Sequence, residues 1–219
     1  MAAKLIDLSF TLNGRKVKVQ IAPDTMLFAL LREQGCASVR CACETTNCGL
    51  CTVWLDGDPV LSCSVPAARV EGHIITTLEG LKAESEALAR AMAAEGAEQC
   101  GFCAPGLIMN VLALVRAAKE GPSLVATREE LSRQLAGNLC RCSGYESQLR
   151  AIVRFLNESG VQVGFEMPEL PVNDTSCDGV SYKQITHKQP KKDSKALLEG
   201  RPVYTGAVSY THLRAHETL

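Results

Sequence analysis

The sequence lacks a basic N-terminal stretch followed by a long apolar run; it opens MAAKLIDLSF, which does not read as a secretory leader. No apolar run approaches the roughly 18 residues that a membrane-spanning helix needs. Neither sign of charge dominates. The formal net charge is −1 over 219 residues, so nothing points to nucleic acid or an anionic membrane surface as a partner. There is no internal repeat, and no arrangement of side chains reads as a catalytic acid, a catalytic base or a substrate pocket. With 46% hydrophobic and 21% charged residues, the chain can pack one or two ordinary cores and is expected to be soluble and cytoplasmic.

What the sequence does have is cysteine, eleven times: Cys36, Cys41, Cys43, Cys48, Cys51, Cys63, Cys100, Cys103, Cys140, Cys142 and Cys177. In a chain without a leader, clustered cysteines bind metal more often than they form disulfides. The odd count also suits a disulfide framework poorly.

Between the cysteines the sequence divides into two regimes. Ile6, Leu8, Phe10 and Leu12 alternate with polar positions, Asn13-Gly14 supplies a two-residue turn, and Val17, Val19 and Ile21 alternate again, which predicts a β-hairpin. A short helix through MLFALLREQ follows, with Gly35 at its C-terminal cap. Strands are expected at Thr52–Leu55, at Val60-Leu61 after an Asp56-Gly57 turn, and from His73 to Thr77. After Gly80 the signals are helical. ESEALARAMAAEG reads as one helix, and Pro105 opens a second that is apolar around much of its circumference. Thr127 and Glu130 form a capping box for TREELSRQLAG, and Tyr145 to Glu158 makes a fourth helix ended by Gly160. The predicted units are therefore an α+β unit over 1–79 and an all-helical unit over 80–160. Residues 161–195 read as a polar connector.

In the first unit Cys43, Cys48, Cys51 and Cys63 are spaced C-x4-C-x2-C-x11-C. The first three match the plant-type ferredoxin arrangement, in which a tight loop aims three thiolates at two irons and a fourth arrives from elsewhere. Gly49, between ligands, allows close backbone approach and lets amide N–H groups face the sulfurs. Structural zinc is the competing reading, although zinc sites usually pair their ligands as knuckles. Cys36 and Cys41 read as free thiols packed near the loop.

In the second unit Cys100-Gly101-Phe102-Cys103 ends at the start of one predicted helix. Cys140-Arg141-Cys142 sits just before another. Free N–H groups and positive dipole ends at helix N-termini favour an anionic cluster. Alone, the C-x2-C would equally fit zinc or an exchangeable dithiol. Paired with C-x-C at a second helix start it is far more specific.

The stretches CETTNCGLCTVWLDGDPVLSC at 43–63, QCGFCAPG at 99–106 and GNLCRCSGY at 137–145 together resemble the iron–sulfur subunit of the molybdenum hydroxylases. That group includes xanthine dehydrogenase, aldehyde oxidoreductase, carbon monoxide dehydrogenase and nicotinate or other N-heterocycle hydroxylases. The resemblance covers about residues 4–160. It implies a β-grasp 2Fe–2S ferredoxin-like domain followed by an all-α four-helix 2Fe–2S-binding domain. The first cluster would lie on Cys43, Cys48, Cys51 and Cys63, the second on Cys100, Cys103, Cys140 and Cys142. It implies as well a molybdopterin-binding subunit or domain and an FAD-binding subunit as partners, with Gln99 and the Cys142 neighbourhood nearest the pterin. Electrons would pass from the molybdenum centre through both clusters to flavin or another acceptor, in the oxidation of a purine or another N-heterocycle, with aldehydes and carbon monoxide as alternatives. Leu50 stands where such proteins often have alanine, and Ala104-Pro105 replaces the commoner Thr-Pro; neither removes a ligand. KALLEGRPVYTGAV, which starts at Lys195, is similar to the opening of the family's molybdopterin-binding subunit, and 196–209 reads as that opening. Residues 210–219, YTHLRAHETL, read as an artefactual tail, and His212 and His216 carry no functional reading.

Of the remaining residues, Trp54 is expected to pack the core and not to conduct electrons. His73 reads as structural or solvent-facing, Cys177 as a free thiol. Arg141, between two thiolates, suits either charge balance or a partner surface.

Overall fold

A computed structural model describes residues 5–120, 127–168, 176–177, 180–181 and 191–201. Strands β1 (Ile6–Leu12) and β2 (Arg15–Ile21) form the predicted hairpin, with Leu12 opposite Arg15 and Ile6 opposite Ile21. Asn13 and Gly14 both take positive φ, at 49° and 79°, as the tight turn requires. The alternation buries Leu8, Phe10 and Leu12 on one face.

Helix α1 (Leu27–Glu33) lies on that face through Leu27, Leu30 and Leu31. It ends where the Cys36 amide reaches back to the Leu31 carbonyl (3.0 Å) around Gly35, whose φ is 85°. Strands β3 (Thr52–Leu55), β4 (Asp58–Leu61) and β5 (Ile74–Thr76) complete a sheet of order β2-β1-β5-β3-β4, in which β5 runs parallel to β1 and antiparallel to β3. This is the expected β-grasp arrangement. The long excursion from the end of α1 to β3 carries the first cysteine group.

Helices α2 (Lys82–Ala94), α3 (Ala104–Glu120), α4 (Arg128–Leu135) and α5 (Tyr145–Glu158) form the second unit. Leu88, Met92, Ile108, Met109, Ile152 and Leu156 are its fully buried centre. The Thr127 side chain caps α4 by accepting from the Glu130 amide (3.2 Å). Arg150 of α5 meets Glu95 just past α2 (3.3 Å) with both side chains largely shielded.

Trp54 lies on β3, yet its ring packs with the helical core. Its indole N–H donates to the Met109 carbonyl of α3 (3.0 Å), and the Arg116 guanidinium stands 5.9 Å from the ring centroid. The expectation of a packing role holds, with the difference that Trp54 joins the two units.

The stretch after α5 packs more than a polar connector would: Val161 is buried, and Val163, Phe165 and Met167 lie against the helical core. A minimal hairpin pairs Ser176–Cys177 with Val180–Ser181. Helix α6 (Ser194–Leu198) then returns to the helical unit, burying Leu197 and Leu198. The Cys177 side chain and residues 202–219, which include His212, His216 and most of 196–209, lie outside the described residues.

Candidate metal centres

The first group sits in a loop whose backbone is contorted to turn inward. Glu44 (φ 51°), Thr46 (φ 60°) and Gly49 (φ 74°) are all left-handed, a costly conformation for the β-branched Thr46. What the contortion achieves is a set of amides aimed at sulfur. The Asn47 and Thr45 N–H groups face the Cys43 sulfur, the latter at 3.5 Å, and these backbone donors bring the Cys43 thiol down to about 6.

Cys43 and Cys48 are within hydrogen-bonding reach of each other, and so are Cys51 and Cys63. Cys63 arrives from the 3-10 turn after β4, as a fourth ligand from elsewhere should. Burial, then the neighbouring Cys51, pushes the Cys63 thiol up to about 12. Cys41 lies close enough to add to that effect, whereas Cys36 is buried in the β-grasp core and hydrogen-bonded to the Thr77 hydroxyl at 3.8 Å.

In the second group Cys100 and Cys103 immediately precede α3, and Cys140 lies before α5. The Phe102 amide donates to the Cys100 sulfur and the Gln148 side chain to the Cys103 sulfur, both at 3.5 Å. Burial, then Cys140, pushes the Cys103 thiol up to about 12. Cys142 is placed through its backbone, its carbonyl accepting from the Gln99 side-chain Nε2 (3.0 Å). The Cys140 amide in turn donates to the Tyr145 hydroxyl (2.8 Å). Arg141 is exposed.

The two groups meet. The Leu139 amide, one residue before Cys140, donates to the carbonyl of Cys48 (3.0 Å). A cavity of about 340 Å³ is lined by Cys43 and Cys48 from one group and by Cys100, Cys103 and Cys140 from the other. Buried Arg40, just ahead of the first group, donates to the carbonyls of Gly101 (2.6 Å) and Phe102 (2.8 Å) between the ligands of the second. These cross-contacts have no signature in the spacing of either motif.

The donor set fits di-iron clusters. Among the described residues no three His, Cys, Asp or Glu side chains converge as a single bound ion would need. A 2Fe–2S cluster asks instead for two thiolates on each of two irons, and the first group supplies two thiol pairs. Crowded, desolvated thiols such as Cys63 and Cys103 resist ionisation until a cation neutralises them, and N–H groups stand ready for thiolate sulfur.

Residues 10–74 match the family model for a 2Fe–2S iron–sulfur cluster binding domain, and residues 77–153 match that for a second 2Fe–2S binding domain. The xanthine dehydrogenase iron–sulfur-binding subunit of Escherichia coli O157:H7 is 42% identical over 154 residues, spanning 69% of this chain and 94% of that one. Quinoline 2-oxidoreductase from Pseudomonas putida 86 superposes with a TM-score of 0.63 at 34% identity, covering 72% of this chain and 98% of its own. Aldehyde oxidoreductase from Desulfovibrio gigas superposes with a TM-score of 0.68 at 28% identity, covering 92% of this chain but 22% of its own. With both cluster-binding domains in order and near-complete coverage of a dedicated iron–sulfur subunit, the chain belongs to the iron–sulfur subunit family of the molybdenum hydroxylases.

Proposed function

We propose that the chain is the electron-transfer part of a molybdenum-dependent hydroxylase, working beside a molybdopterin-binding subunit or domain and an FAD-binding partner. Cys43, Cys48, Cys51 and Cys63 hold one 2Fe–2S cluster; Cys100, Cys103, Cys140 and Cys142 hold the other. When bound, each cluster is a one-electron carrier, so that a two-electron oxidation elsewhere can leave in single steps. The chain's own residues hold the sulfurs, direct N–H groups at them and keep the two sites adjacent. Gln99, pinned to the Cys142 carbonyl, is the residue assigned to the pterin side.

The observation that carries this reading is the hydrogen bond from Leu139 to the Cys48 carbonyl. It joins the neighbour of one site's ligand to a ligand of the other, which an electron relay uses and two independent zinc sites do not need. Residues 1–79 and 80–160 are assigned as the two cluster-binding domains, 161–195 as the connector and 196–209 as the opening of a molybdopterin-binding part. The longer match to the Desulfovibrio protein, whose own chain runs well beyond it, supports that last assignment.

An N-heterocycle such as a purine is the proposed substrate class of the complex, in keeping with the xanthine- and quinoline-oxidising relatives. An aldehyde is the second reading, favoured by the 92% coverage with aldehyde oxidoreductase. Among the described residues no helix is long and apolar enough to cross a membrane.

The test is iron and acid-labile sulfide analysis with EPR of the reduced protein, isolated from a host with intact cluster assembly. About four iron per chain and two distinct signals are expected. Cys63→Ser removes one signal and Cys103→Ser the other. Folded protein that carries zinc, or no metal, sinks the proposal.

A further inference from the structure

The four residues Glu98–Gly101, which include Cys100, are gripped by a segment that neither cluster-binding family match reaches. Buried Glu98 accepts a hydrogen bond from the Ser194 hydroxyl. The Gln99 carbonyl accepts from the Lys191 ammonium (2.7 Å), which also pairs with Asp193 at 3.4 Å. Gly101, with φ at 71°, has its open face filled by Leu197: a Cβ there would sit 2.6 Å from the Leu197 Cβ. One turn further, Gly200 lies against Ser38 at the entrance to the first cysteine loop and against Pro105 in the first turn of α3. A Cβ at Gly200 would come within 2.8 Å of the Ser38 side chain and 3.5 Å of the Pro105 ring.

Ten residues of chain thus make a polar anchor, an ammonium contact and an apolar plug on one short loop. Leu197 is itself almost wholly buried, so its docking is part of the packed structure. From the other side, Arg40 donates to the carbonyls of Gly101 and Phe102. The loop bearing Cys100 and Cys103 is therefore held between a cation of the first site and a cation of the distant segment.

We propose that Lys191–Gly200 is a clamp that sets the geometry of the second cysteine loop, with Lys191 and Leu197 as its positioning residues. Leu197 keeps Gly101 in its left-handed conformation, which decides where the Cys100 and Cys103 sulfurs point. Lys191 adds positive charge beside Gln99, and positive charge near an iron–sulfur site favours its reduced form. The second site is in this way governed by a stretch outside the domain that supplies its ligands. The inference rests on the two-cluster reading above.

The experiment is an EPR-monitored redox titration of the full chain, loaded in cells, as wild type, Lys191→Ala, Lys191→Arg and Leu197→Ala, with iron release to a chelator followed alongside. In Lys191→Ala the reduced-to-oxidised ratio of the second site at the wild-type midpoint should fall about threefold, the order expected for a half-exposed charge. The first site stays put, and Lys191→Arg restores the second. Leu197→Ala should speed iron loss from the second site alone and alter its signal. Wild-type behaviour of the second site in both alanine variants overturns the clamp, as does an equal change at both sites, which would mark general loosening. A wild-type protein with fewer than two signals overturns the two-cluster reading itself.

Discussion

Gly106 sits in the first turn of α3, at a position where alanine would ordinarily help. Replacing a helical glycine by alanine gains about 0.5–1 kcal/mol from backbone entropy. Here the added Cβ collides with the carbonyl oxygen of Gly49 and comes within 3.0 Å of the Leu50 Cα and 3.2 Å of the Gly49 carbonyl carbon. Those are backbone atoms of the first cysteine loop, and they have little freedom to retreat. The Gly49 carbonyl already accepts from the Thr52 hydroxyl (2.7 Å) and amide (3.3 Å), while its neighbour Cys48 is tied to Leu139. Overpacking against a fixed wall costs about 1–3 kcal/mol. The packing term therefore exceeds the helical gain, leaving Gly106→Ala destabilised by roughly 1–2 kcal/mol, or about 2–8 °C in a chain of this size. Thermal unfolding of the iron-loaded protein, followed by the visible circular dichroism of its clusters, reads this directly. Gly137→Ala is the control, since a Cβ there meets nothing within 4 Å, and it should leave the midpoint unchanged or slightly raised. A Gly106→Ala protein more stable than wild type would refute the claim that the two cysteine sites are pressed together across this glycine.

Three further outcomes follow from the same geometry. Trp54→Phe removes the indole donor to Met109 and should cost about 1 kcal/mol in urea unfolding while both EPR signals keep their potentials; a shifted potential would make Trp54 more than packing. Glu79 is held below its ordinary carboxylate range although burial works the other way, because the Ser38 hydroxyl and amide and the Thr77 hydroxyl donate to it. Its folded value is the lower one, so its stabilisation is complete above the unfolded value near 4.5 and fades as the pH falls through the depressed one. Glu79→Gln should flatten that acid limb of stability against pH. In the metal-free chain the Cys43 thiol at about 6 should be alkylated by iodoacetamide at neutral pH well before Cys63 and Cys103 at about 12, as peptide mapping would show. Equal rates at all three would remove the electrostatic account of the first loop.

The parts legible in the sequence are those with local causes. The Asn13-Gly14 hairpin, the Thr127 cap and the α5 bounds at Tyr145 and Glu158 each follow from a turn, a capping residue or a 3.6-residue period, and each appears where its signal lies. Cysteine spacing likewise sets Cys36, which is buried in the β-grasp core, apart from the eight cysteines proposed as ligands. Nothing in the spacing says that the sites face one another, because that depends on how β3 and α3 pack, and Trp54 carries a helical-core role inside a strand pattern. The left-handed Thr46 was equally unreadable: its side chain disfavours the conformation, and only the demand for inward-facing amides overrides it.

Gly49 shows how a correct local reading can miss half the reason for a residue. Its place between Cys48 and Cys51 is explained by close backbone approach and amides turned toward sulfur. Yet a Cβ there would also strike the Gly137 carbonyl oxygen and lie 2.7 Å from the Asn138 side chain, while Gly106 meets the backbone of the same loop at the Gly49 carbonyl and Leu50. The glycines of GLC and APG therefore belong to one interface as much as to two motifs, and the backbone of GNLC supplies its other wall. Two loops that must each point thiolates inward can touch only where side chains are missing, and hydrogen bonds such as Leu139 to Cys48 form only at that distance. Close packing of the two sites is thus a property of the glycines, and ligand identity a property of the cysteines. A chain that kept all eight cysteines but lost Gly49 and Gly106 would be expected to load both sites and to pass electrons between them poorly.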